Sequence, residues 1–165
     1  MNLRERLTVL RDVVFARTSR LDWLPLLLVR LCLAAIFIPS GWGKLHDLAK
    51  VTDFFSELGI PWPHLNAVVV AVSEFACGVA LLVGAVSRLA AIPLIVSMTI
   101  AILTARRADI HGVADLFALD ELIYLALAVV VLVLGAGAIS ADGLIARRFS
   151  SPRAASTQTP KGDRS

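Results

Sequence analysis

Histidine is missing from every long apolar stretch of this chain, and its three copies, His46, His64 and His111, all fall in polar connecting segments. A bis-histidine haem held between apolar helices is therefore excluded. The same histidines, with Asp47, Asp109 and Asp115 nearby, show no metal-ligand spacing, so no metal site is expected. Cysteine is equally scarce. Cys32 and Cys77 form no CxxC pair, which leaves no dithiol redox motif, and both are expected to be small core residues near one another. Nothing resembles a flavin, haem or iron–sulfur fingerprint, so the chain is not expected to be an enzyme on its own, and no covalently bound cofactor is expected. Charge is thin as well, at 18% of 165 residues. The net charge of +3 lies in residues flanking apolar runs and forms no aromatic-interleaved basic face, so nucleic acid is not the expected partner.

What is abundant is apolar sequence: 58% of the residues are hydrophobic and the mean hydropathy is +0.79. Four runs, Leu24–Ile38, Leu65–Val86, Leu89–Thr104 and Leu119–Ala138, are long enough, or nearly so, to cross a hydrocarbon core of roughly 30 Å at 1.5 Å per residue. The expected fold is all-α, an antiparallel bundle of four transmembrane helices with spans at about 24–43, 65–85, 88–105 and 119–138. With four spans both termini share a side. That side carries eleven Lys and Arg against four on the other, which places both termini on the cytoplasmic side, against an anionic inner leaflet.

Three segments flank or join the spans. Residues 1–22 carry Leu3, Leu7, Leu10, Val14 and Leu21 at helical spacing between arginines, the pattern of a cationic amphipathic helix lying on the inner leaflet. Leu48, Val51, Phe55 and Leu58 recur at helical spacing before Gly59, which predicts a short outer interfacial helix with a glycine cap. Ser140 or Asp142 is the expected cap of a short helix over 144–149, and residues 150–165 have the Ser, Pro, Thr and charge content of a disordered cytoplasmic tail. The membrane domain thus occupies 23–149. Ala76, Ala80 and Gly84 form a small-residue row suited to close helix packing, within the chain or in a homo-oligomer.

The charges inside the runs are the candidate functional residues. Arg30 lies six residues into the first run and Glu74 about eleven into the second, a height difference of roughly 7 Å at helical rise, so an intramembrane Arg30–Glu74 pair is expected, as a packing staple or as a relay. At the outer end Trp42, Lys44, Glu121 and Tyr124 lie near one level and are expected to enclose a polar vestibule. The plainer alternatives there are snorkelling of Lys44 and capping of the fourth span by Asp120.

The series Leu28-Val29-Arg30-Leu31, Ser40-Gly41-Trp42-Gly43-Lys44-Leu45, Glu74 with Gly78 and Leu81-Leu82-Val83-Gly84, and Ser87-Arg88-Leu89-Ala90-Ala91 resembles the DoxX family of small bacterial four-span membrane proteins. The resemblance continues through Asp115-Leu116-Phe117, Glu121, Tyr124 and Gly135-Ala136-Gly137-Ala138-Ile139-Ser140-Ala141-Asp142, and covers roughly residues 24–148. It implies an inner-membrane accessory subunit of a redox or oxidative-stress pathway, contacting quinone at the outer vestibule and working with a soluble redox protein. Two other classes stay open: a small proton or solute transporter built on Arg30 and Glu74, and a scaffold whose residues 1–22 recruit a cytoplasmic partner.

Overall fold

A computed structural model describes residues 23–137 and 139–149, all helix, turn and loop with no strand among them. The amphipathic segment 1–22 and the tail 150–165 lie outside the described residues. Seven α-helices follow one another: α1 (Leu24–His46), α2 (Leu48–Glu57), α3 (Pro63–Val83), α4 (Ser87–Leu103), α5 (Val113–Phe117), α6 (Asp120–Leu134) and α7 (Ala141–Phe149), with a 3-10 turn at Arg107–Asp109. α1 and α3 are long and apolar enough to cross a membrane, and α4 is a shorter apolar helix of 17 residues.

Their surroundings separate these helices from the core helices of a soluble protein. Only 28% of the apolar window of α1 and of α3 is buried, while Leu28, Leu65, Val69, Val72, Leu82, Leu89, Val96, Leu103 and Val133 point outward. An exterior of this composition suits a lipid surround. The interior is a narrow seam of Leu33, Phe37, Leu81, Leu94, Met98, Ala128 and Val131. α1 packs on α3, α3 on α4, α4 on α6 and α6 back on α1, so the four helices close a circuit, with α2 lying against α3.

Glycine sets the register of the tightest pair. A side chain at Gly41 would collide with the backbone of Phe75, and one at Gly78 with Ile38. The close-packing surface of α3 is therefore Ala67, Ala71, Glu74, Gly78 and Leu81, and the expected row led by Ala76 is not: Ala76 is exposed, and Gly84 serves another purpose described below. The register also staggers the helices. With Gly41 beside Phe75, His46 stands opposite residue 70, about 10 Å below Pro63 at helical rise. α1 thus stops short of the outer end of α3, and α2 occupies the step.

The local signals explain the ends. α1 carries Pro25 in its first turn and runs through Pro39 to His46, beyond the expected end of the first span near residue 43, because one proline removes a single ladder bond. Asp47 accepts from Lys50 N to start α2, and Gly59 (φ +68°) closes it with Ile60 N donating to Phe55 O and Gly59 N to Ser56 O, a complete Schellman cap. Between α3 and α4 the chain turns through Gly84 (φ +75°) and Val86 (φ +51°), a β-branched residue in a left-handed conformation. Asp142 holds that turn, its carboxylate accepting from Val86 N at 2.8 Å and Ser87 N at 3.1 Å. Ser140, not Asp142, caps α7, with Gly143 N donating to its Oγ at 2.9 Å.

Candidate functional site

Glu74, 1% exposed on α3, is the buried carboxylate around which the site is built. Three donors from two other helices converge on it. Lys44 Nζ of α1 lies 2.5 Å from both carboxylate oxygens, Ser40 Oγ, one turn earlier on α1, donates to Oε2 at 2.9 Å, and Ser97 Oγ of α4 donates to Oε1 at 3.3 Å. Lys44 does not snorkel outward; it turns inward with its side chain still 30% exposed. Burial of a charge pair carries a large desolvation cost, which the extra hydroxyl donors offset by satisfying the remaining lone pairs.

Above this pair opens a cavity of about 930 Å³ bounded by α1, α2, α3, α4, the chain after α4, and α6. Phe37, Phe54, Phe55, Val70 and Met98 make its walls, and Ser40, Lys44, Glu74 and Ser97 its polar floor. The stagger of α1 against α3 creates the room, and α2 roofs it. At its other polar end Arg106 Nε donates to Glu121 Oε1 at 2.7 Å, and Arg106 also reaches Asp109 Oδ2 at 3.5 Å. The hydrogen bond to Glu121, reinforced by its charge, holds the Arg106 guanidinium above its ordinary value. Glu121 Oε2 is buried, and no protein group among the described residues donates to it. Tyr124 lies one turn further along α6, its ring edge-on to Phe37 at 6.2 Å between centroids.

Three of the four expected vestibule residues, Lys44, Glu121 and Tyr124, line this one cavity. The fourth lies elsewhere: Trp42 is 54% exposed on the outside of α1, its ring tilted against His46 at 4.3 Å and Phe75 at 5.6 Å between ring centroids. The expected partnership of Arg30 with Glu74 is absent. Arg30 stands opposite residue 86 in the observed register, about 18 Å of helical rise below Glu74, beyond the reach of its side chain. The stagger of the helices, which apolar run lengths do not encode, is the reason.

Arg30 instead caps two helix ends at once. Buried to 1% exposure, it donates from Nε to Leu81 O at 2.8 Å and from Nη2 to Leu82 O at 3.1 Å at the end of α3. Nη1 donates to Ala136 O at 2.9 Å and Ile139 O at 2.8 Å beyond α6. A cation among carbonyls at two helix C-termini complements both dipoles. A side chain at Gly84 would displace the guanidinium, which accounts for glycine there. Cys32 and Cys77 are both free, but they are not paired core residues: Cys32 is exposed and Cys77 packs against the core seam. Asp120 opens α6 without a side-chain cap bond, so it acts through the helix dipole alone.

Sequence reasoning reaches Ser40 only as a member of the Ser40–Leu45 motif and does not reach Ser97. Ser40 carried a signal, its spacing of one turn from Lys44, whereas Ser97 on a different run carried none. A model of the DoxX family matches residues 25–107, a stretch that contains Ser40, Lys44, Glu74, Ser97 and Arg106. No curated protein and no solved structure matches the chain.

Proposed function

The chain belongs to the DoxX family, and we propose that it is an integral membrane protein of four spans, α1, α3, α4 and α6, that binds a lipid-soluble quinone in the outer cavity as the accessory subunit of a redox pathway. Both termini then face the cytoplasm, the arrangement favoured by the eleven-to-four asymmetry of Lys and Arg. One observation carries the ligand reading: an apolar cavity of about 930 Å³ ends on the ion pair of Lys44 with the buried Glu74, with Tyr124 on its wall. Ring compounds with polar ends suit such a site, since the aromatic and aliphatic walls take the ring and tail while an ammonium and a phenol meet the oxygens. Electrons are left to a partner protein, because the chain holds no recognisable redox-cofactor motif. The quinone reading is preferred to transport because Arg30 donates to four backbone carbonyls rather than to Glu74, which gives a relay between the two no support.

The test is recovery of quinone from protein purified by gentle solubilisation, measured against the quinone-to-phospholipid ratio of the starting membrane. Enrichment is expected for the natural sequence and not for Val70→Trp, which fills the cavity from its α3 wall. Recovery at the bulk ratio in both would remove the quinone reading.

A further inference from the structure

A second cleft lies at the opposite end of the bundle from the Lys44–Glu74 pair. We propose that it binds an anionic phospholipid, with the phosphate on Arg88 and an acyl chain laid between α4 and α6. The proposal is independent of the quinone ligand and rests on α4 and α6 being spans, an arrangement that puts the cleft in the inner leaflet. Its volume is about 570 Å³, its walls are Leu89 and Ile92 of α4 with Leu132 and Leu134 of α6, and the chain from Gly135 to Gly143 closes its inner end. Leu89, Ile92 and Leu134 are exposed, so the walls meet whatever surrounds the bundle. Apolar walls open to lipid suit an acyl chain.

What separates this cleft from the rest of the lipid-facing surface is an exposed cation at its inner end. The guanidinium of Arg88 lies against the backbone of Gly135, where a side chain would come within 3.1 Å of Nε, and Nη2 donates to Val133 O at 3.2 Å. That single bond leaves most of the N–H donors of an arginine without a partner among the described residues, where no carboxylate pairs with Arg88 either. Arg30, by contrast, is buried and spends its donors on four carbonyls. Asp142 is the single carboxylate lining the cleft, and its two oxygens are taken by Val86 N and Ser87 N. The accessible charge in the cleft is therefore positive, and a planar fork of donors matches phosphate oxygens. A zwitterionic lipid brings its phosphate with an ammonium that offsets it, whereas an anionic lipid brings the negative charge uncompensated. One cation near the membrane surface separates the two by about fivefold in affinity.

Native mass spectrometry of the full chain in mild detergent, with phosphatidylglycerol or phosphatidylcholine of matched acyl chains added, counts the lipid each variant keeps. The natural chain should keep phosphatidylglycerol about fivefold better than phosphatidylcholine. Arg88→Gln, which retains a side-chain donor for Val133 O, should bring the ratio near parity, and Arg88→Lys should hold part of it. Ile92→Trp fills the cleft and leaves the charge in place, so it should lower retention of both lipids. The arginines of residues 1–22 also attract anionic lipid, but they are common to every variant and cancel in the comparison. Should Arg88→Gln lose its helical circular dichroism, Arg88→Lys and Ile92→Trp decide. A ratio near one in the natural chain, a ratio unchanged by the Arg88 variants, or retention unchanged by Ile92→Trp would overturn the proposal. Displacement of the lipid by millimolar inorganic phosphate would mark Arg88 as a site for a free anion and overturn it too.

Discussion

Lys44 is held at the floor of the cavity by a carboxylate that has nowhere else to go. Glu74 is fully enclosed and Lys44 is not, so the two are unequal partners: removing the lysine strands a buried charge, whereas removing both removes the burden. Lys44→Met should therefore destabilise the protein by about 3–5 kcal/mol, and the double change Lys44→Met with Glu74→Met should be distinctly more stable than that single variant. Chemical denaturation in detergent, read by the loss of helical circular dichroism, compares them. A double variant no better than Lys44→Met would mean that Glu74 left without the lysine carries no such burden. The same inequality explains what the sequence made legible. A carboxylate in an apolar run announces that it needs a partner, but depth counted from the ends of a run does not name it. Counted depth pointed to Arg30 and left Lys44 to the outer vestibule, and only the contact of Gly41 with Phe75 shows that Lys44 stands level with Glu74.

At the scale of the element, the connection between α3 and α4 shows how a strained turn is kept. Val86 sits at φ +51°, unfavourable for a β-branched side chain, and its N–H and that of Ser87 both end on Asp142, 55 or more residues further along the chain. Asp142 N in turn donates to Gly84 O at 3.1 Å, so α7 and the turn brace each other. Asp142→Ala removes the acceptor for the first N–H groups of α4 and should cost about 0.5–2 kcal/mol, the ordinary worth of a helix cap. Asp142→Asn, which keeps one acceptor oxygen, should recover part of it in the same denaturation assay. Much of the helix inventory was readable beforehand. Apolar periodicity and Gly59 mark α2 through local chemistry that depends on a few neighbouring residues. The role of Asp142 was not readable, because it caps a helix more than fifty residues away, and local sequence cannot distinguish that from capping the helix it belongs to.

For the whole molecule, the family match ends at residue 107, so it takes in the ion pair and Arg106 but leaves Glu121 and Tyr124 on α6 outside. The all-helical class was legible from the apolar runs, because each is continuous and long enough for a helix to satisfy its own backbone, without the period-two alternation of strands. The cavity was not, since it exists only through the unequal heights of α1 and α3. One dimension has a further effect. α4, 17 residues from Ser87 to Leu103, is about 26 Å long, and α6, with 15 residues after Leu119, is about 23 Å, both short of a typical hydrocarbon thickness of roughly 30 Å. Under the four-span arrangement the unfolding midpoint should be higher in bilayers of short-chain lipid than in bilayers of long-chain lipid, and a flat dependence on chain length would count against these helices as spans. Under that arrangement the protein would act on the membrane as much as the membrane on it: around α4 and α6 the two leaflets would be drawn together into a dimple, shorter lipids would gather there, and copies of the chain sharing one dimple would be pulled toward each other without touching.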